Sequence, residues 1–281
     1  MVTERPTPVM PSLATASFRV FDLSLGEMLW SRRTVFLALI VGGPVLIAVI
    51  LRIVDALNVP AMRVNGVRMG GASIFGLMIW FLFLRFIVPV LGIFYGTSLM
   101  ADEVEDKTIT YLFTRPIPRS AVLIGKYLAY LASTVLIVLP SVMLVFFLVV
   151  PIGGGGIAQA FPTLLRDLLL LATGLAVYGA LFAAVGAWIK RPVLFGLFFA
   201  FGWENFAMAL PGYMKRFTVA FYTQSLVPHA MPSDNLMSVL QSVFKDSVSG
   251  WQSALTLVGL LVVALALATR AVERREYVLE Q

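Results

Sequence analysis

The sequence predicts an all-α membrane protein: a bundle of six transmembrane helices with both termini in the cytoplasm. Three observations predict it. Of 281 residues, 59% are hydrophobic and 13% charged, whereas a soluble domain carries about a quarter charged residues. Apolar stretches near 35–54, 74–100, 121–150, 164–188, 193–211 and 252–269 match the roughly 20 residues that a helix needs to cross a bilayer. The basic residues are also distributed unequally between the two sides. Arg5, Arg19, Arg32, Arg33, Lys107, Arg115, Arg119, Lys190, Arg191, Arg270, Arg274 and Arg275 fall on one side, against Arg63, Arg68, Arg166, Lys215, Arg216 and Lys245 on the other. The richer side is expected to be cytoplasmic. This placement also accounts for the net charge of +6 without a nucleic-acid partner, and none is expected.

Residues 1–34 form a cytoplasmic tail that starts polar and proline-rich, with no early apolar core of a cleaved signal peptide. Within it, Phe18, Phe21, Leu25, Met28 and Leu29 recur at helical spacing over 18–33. The segment is an amphipathic helix lying either on the inner membrane surface or against the rest of the protein. The membrane-spanning core of six helices runs over 35–269. Pro44 in span one and Pro89 in span two should bend their helices. Gly92 and Gly96 in span two, and Gly179, Ala183 and Ala187 in span four, give the small-residue spacing of closely approaching helices.

Between spans two and three, residues 102–118 read as a short helix. Acidic residues crowd its start, where the helix dipole favours them. Glu103 and Lys107 form an i,i+4 pair, and Pro116 ends the helix by moving Arg115 out of the α region. Ser120 is placed to cap span three. Gly153–Gly156 reads as a flexible outer loop rather than a phosphate loop, because no Lys-Ser/Thr follows it. Pro211 and Gly212 turn span five into a long outer loop, 212–250. In that loop, residues 217–228 are apolar but too short to cross, so they read as re-entrant or interfacial. Residues 235–246 read as an amphipathic helix on the outer side, lying either on the membrane surface or against the rest of the protein. Residues 270–281 form a second cytoplasmic tail. Trp30 and Trp188 fall at inner boundaries, and Trp203 and Trp251 near outer ones, the level at which indole rings settle.

Two charges lie inside spans: Arg85 in span two and Glu204 in span five. At about 1.5 Å per residue, both sit roughly 10–15 Å below the outer surface. A charge there costs about 2.5–3.5 kcal/mol. Two uses follow: the residues line or gate a substrate path, or their role is structural, as an interhelical pair or with Arg85 snorkelling outward.

Much chemistry is missing. The chain has no cysteine and one histidine, His229, so thiolate sites, a cysteine nucleophile and a metal cluster are not expected. It holds no G-x-S-x-G and no Walker A loop. No cofactor is expected on this chain, and any use of ATP would have to occur on a partner.

Glu103, Glu105, Thr108, Tyr111, Leu112, Arg115, Pro116, Arg119 and Lys126 together resemble the signature of type-2 ABC transporter permeases. The likeness extends weakly over nearly the whole chain, through the helix before span one and the long loop before span six. Trp203, Glu204, Leu210, Pro211 and Gly212 are similar to a motif of permeases grouped with the nitrous-oxide-reductase maturation transporter, although no histidine or cysteine set here supports metal handling. The resemblance implies a permease subunit of an exporter that works as a pair of membrane chains with a separate ATPase carrying ATP and magnesium. It implies that Glu103, Glu105, Thr108, Tyr111, Leu112, Arg115, Pro116 and Arg119 contact that ATPase, and that spans two and five lie nearest the path. The expected location is multi-pass in a cell membrane, a bacterial inner or plasma membrane. An ion-gradient-driven transporter would call for inverted repeats, a membrane-embedded enzyme for a catalytic set, and neither is seen. A scaffold role stays open.

Overall fold

The computed structural model describes residues 12–57, 63–64, 67–68, 70–100, 118–210, 213–227 and 248–274. The chain is all-helical, with six helices long and apolar enough to cross a membrane: Leu37–Ala56, Gly71–Met100, Arg119–Val149, Ile157–Trp188, Pro192–Ala209 and Gly250–Arg274. These are spans one to six. The only strand pairing among the described residues is two residues long, Arg63–Val64 against Val67–Arg68, between spans one and two. The expected segments 102–118 and 235–246 lie outside the described residues, apart from Pro118.

Consecutive spans alternate in direction, so the bundle has two ends. At one, here the tail end, Met100, Leu123, Ala187, Ala268, Ala271 and Val272 pack together. At the far end, Gly71 of span two abuts the carbonyls of Val149 and Val150, where a Cβ would stand 2.1 Å from the first.

A helix at Leu13–Leu29 precedes span one. Ser12 caps it, accepting from the Thr15 N–H at 3.3 Å. Ser31 then caps the helix Arg32–Ala56 through the Thr34 N–H at 3.2 Å. The N-terminal helix packs against the rest of the protein, one of the two alternatives read from its sequence. Its small residues Ala16, Ser17 and Ser24 are buried, and Gly125 of span three gives them room, since a Cβ there would meet the Ser17 carbonyl at 2.6 Å. Beside this packed face, Phe18 is 68% exposed and its ring lies 6.0 Å from that of Phe21. The helix therefore docks by its small face and leaves an apolar arc outward.

The small-residue spacings do bring helices together. A Cβ on Gly92 would stand 2.7 Å from the Tyr178 Cβ, and one on Gly96 would stand 2.9 Å from the Gly179 carbonyl. Spans two and four thus touch backbone to backbone. Gly179 also yields to span three: its Cβ would lie 2.0 Å from Tyr130 Cε1. That approach lets the Tyr130 hydroxyl donate to the Leu175 carbonyl at 2.7 Å, while Tyr127 donates to Ala176 at 2.8 Å. Thr34 joins this group. Its hydroxyl meets the Tyr95 hydroxyl at 2.5 Å and donates to the Met28 carbonyl.

One local reading is corrected and two gain detail. Span three starts at Arg119 with Pro118 at the cap position, and Ser120 lies inside the helix and is buried. The fixed φ of proline sets the start that Ser120 was expected to set. The glycine run is a tight turn, with Gly153 at φ 72° and Gly154 at φ 86°, a region glycine enters without steric cost. Gly155 has no room for a Cβ, which would stand 2.1 Å from the Val150 carbonyl. The helix of span one continues through Pro44, whereas span two meets Pro89 differently. Ile79–Ile87 and Gly92–Gly96, on either side of Val88–Leu91, are π-helical. A π turn takes its hydrogen bond five residues back and accommodates the N–H that proline lacks.

Candidate functional site

The intramembrane site is built from spans two, four and five and a short helix at the far end, Val219–Ser225. That helix occupies the segment read as re-entrant. It has seven residues, too few to be stable alone, so its stability has to come from what holds it.

Its N-terminus is satisfied completely. Thr218 caps it, its hydroxyl accepting from the Phe221 N–H at 3.3 Å. Glu204 of span five takes the two remaining N–H groups of the first turn on Oε1, Val219 at 2.9 Å and Ala220 at 3.4 Å. The other carboxylate oxygen accepts from the Tyr178 hydroxyl of span four at 2.5 Å. Glu204 is 2% exposed. A buried carboxylate at a helix N-terminus meets both orphan donors and the positive end of the helix dipole. At the other end of the short helix, the Ser225 and Ser253 hydroxyls hydrogen-bond at 2.6 Å, joining it to span six. Glu204 is thus a long-range cap that ties the outer helix to spans four and five.

Arg85 stands next to this site. It donates through Nη2 to the Asn205 side-chain oxygen. The Asn205 amide nitrogen in turn donates to the Phe201 carbonyl at 2.7 Å, which fixes the direction of the amide oxygen toward the arginine. Phe201 lies in the π segment Phe198–Trp203 of span five. Arg85 lies in the π segment of span two, and the Phe86 and Phe201 rings stand 5.9 Å apart between them. Widened turns of this kind occur often at functional sites. Here they set Arg85 and Glu204 into one polar cluster.

The structure brings the two charged residues predicted from sequence into one neighbourhood, where each is an electrostatic neighbour of the other. No ion pair within 4.0 Å joins them among the described residues. Each is held by a group that the sequence reading did not single out, Asn205 for the arginine and Tyr178 for the glutamate. Asn205 directly follows Glu204, and a tyrosine in the middle of an apolar span needs a partner for its hydroxyl. Those were the available signals. The Arg85 Nη1 is buried and has no hydrogen-bond partner among the described residues.

Of the residues expected to contact an ATPase, Glu103, Glu105, Thr108, Tyr111, Leu112, Arg115 and Pro116 lie outside the described residues. Arg119 is described: it is the first residue of span three, exposed at the tail end. No group of three or more His, Cys, Asp or Glu side chains that could hold a metal occurs among the described residues.

A family model described as ABC-2 family transporter protein matches residues 17–277. A comparison with curated proteins found none that matches. The match covers nearly the whole chain, from the N-terminal helix through span six. The chain belongs to the ABC-2 transporter family: it is a multi-pass membrane protein and an ABC transporter permease.

Proposed function

We propose that this permease moves its substrate out of the cell as one of a pair of membrane chains, driven by ATP hydrolysed on a separate ATPase subunit. The observation that carries the reading is membership of the transporter family over residues 17–277 in a chain whose sequence contains no phosphate-binding Walker A loop. The work must then come from another chain. The segment with Glu103, Glu105, Thr108, Tyr111, Leu112, Arg115, Pro116 and Arg119 is where that chain docks, on the cytoplasmic side. ATP and magnesium sit on the partner. A stiff charged segment between spans two and three passes motion into both, and span two carries Arg85.

The path runs along spans two and five. Arg85 offers a buried N–H that is not committed within the described residues, suited to an oxygen of the substrate. Spans two and five also turn Phe81, Phe86, Phe198 and Phe206 outward, an apolar surface that a second copy covers. Purification in mild detergent tests the reading. An ATPase subunit should co-purify, one per permease chain, and its hydrolysis should respond to the permease. Changing Glu103 and Arg115 together to alanine should abolish that response while membrane insertion is kept. Unchanged coupling in the double variant would remove the assignment of the docking segment.

A further inference from the structure

A groove of about 360 Å³ opens between spans four and six at the tail end, lined by Ala187, Trp188, Leu267, Arg270, Ala271 and Arg274. It is separate from the Arg85 and Glu204 cluster and has no part in the transport reading. Its size falls within the roughly 300–1,000 Å³ of small-molecule sites. Small residues make it. Ala187 and Ala271 are buried at its floor, packed among Met100, Leu123, Ala268 and Val272. Leu267 and Trp188, 45% and 61% exposed, form its apolar walls.

Its chemistry has two parts, set by the helix. Arg270 and Arg274 are four residues apart on span six, so they stand on one face about 5–6 Å apart at Cβ. Both are exposed. Arg270 is the first charged residue after the apolar run of that span, which places the pair at the level where hydrocarbon gives way to headgroups. Trp188 ends span four at the same level, the position indole rings favour. No Asp or Glu is among the lining residues. The nearest carboxylate on the same helix, Glu273, is exposed, and Lys190 and Arg191 follow Trp188 in the chain.

We propose that this groove binds an anionic phospholipid. Its phosphate lies between the two guanidinium groups, and the upper part of an acyl chain lies over Leu267 and the alanine floor, against the Trp188 ring. Two guanidinium groups that can share one phosphate recognise it by geometry as well as charge, and basic pockets between spans on the cytoplasmic side are suited to acidic headgroups. The charge selects an acidic lipid, because a zwitterionic one brings its own cation to a site that already has two.

Native mass spectrometry of the detergent-purified chain, titrated with dioleoylphosphatidylglycerol and with dioleoylphosphatidylcholine, tests this. The wild type should bind the first with a preference of about tenfold or more, and R270Q/R274Q should lose most of it, roughly 10- to 30-fold. A second measurement does not depend on that variant folding: phosphatidylglycerol brominated near the carbonyl end of its chains should quench tryptophan fluorescence, and W188F should lose a distinct part of the quenching. Equal binding of the two lipids by the wild type would overturn the proposal, as would an unchanged preference in the double variant. Quenching identical in W188F would do the same, and would mean that another part of the chain fills the groove.

Discussion

Glu204→Ala removes the acceptor of three donors at once: the Tyr178 hydroxyl at 2.5 Å and the N–H groups of Val219 and Ala220 at 2.9 and 3.4 Å. Alanine offers nothing in exchange, and the site is buried. A buried donor left unsatisfied costs about 1–3 kcal/mol, which would give about 3–9 kcal/mol for three. Hydrogen bonds between helices in a membrane average about 0.6 kcal/mol, because released groups find other partners, which would give about 2 kcal/mol. The Ala220 bond is long and contributes least. The expected loss is therefore about 2–4 kcal/mol. Glu204→Gln keeps an acceptor for the helix N-terminus and an amide that can donate to the Tyr178 oxygen, so about 1 kcal/mol is expected. Unfolding in mixed micelles with a rising SDS fraction, followed through the five tryptophans, measures both. In the same assay, Tyr178→Phe combined with Glu204→Ala should be less damaging than the sum of the two single changes, since they remove one shared bond. Glu204→Ala within about 0.5 kcal/mol of the wild type would refute the capping argument, because that is the scatter of a surface substitution.

Other outcomes follow from the same geometry. Gly179→Ala drives a methyl into the Tyr130 ring, 2.0 Å from Cε1, and should cost about 1–3 kcal/mol, visible as lost monodispersity on gel filtration after mild heating. Exchanging the charges, Arg85→Glu with Glu204→Arg, should fail to restore a folded protein in the SDS assay. An arginine at 204 cannot accept from the Tyr178 hydroxyl or from two backbone N–H groups, whereas a simple ion pair would tolerate the swap. Ser253→Ala removes the 2.6 Å tie to the outer helix and should cost only about 0.6 kcal/mol, with a larger rise in proteolysis near 219–225 than in global unfolding. The chain has no cysteine, so Phe198→Cys, 70% exposed in the wild type, provides the only thiol. It should form a disulfide-linked dimer under mild oxidation if spans two and five face a second copy.

Much of the fold was legible because the bilayer imposes a length on every span, and the runs of apolar residues show that length directly. The paired glycines of span two were legible too, since only glycine permits the backbone contact at Tyr178 and Gly179. Arg85 and Glu204 stood out as charges within apolar runs. What they touch did not. The partners of Glu204 are a tyrosine from span four and two backbone N–H groups fifteen and sixteen residues further on, and no local pattern announces them. The π turns of spans two and five were hidden as well: Pro89 was visible between the two in span two, but nothing in the residue spacing separates a π turn from an α turn. The N-terminal helix shows the limit of periodicity. Its large apolar residues drew attention, while the face that docks on span three is made of Ala16, Ser17 and Ser24.

The central claim is that the segment between spans two and three faces the cytoplasm, where an external ATPase can push on it. Lys107→Cys in this cysteine-free chain places a single thiol in that segment. A membrane-impermeant maleimide should label it in inside-out vesicles and leave it unlabelled in intact cells. Labelling in intact cells, with the protein inserted normally, would contradict the account.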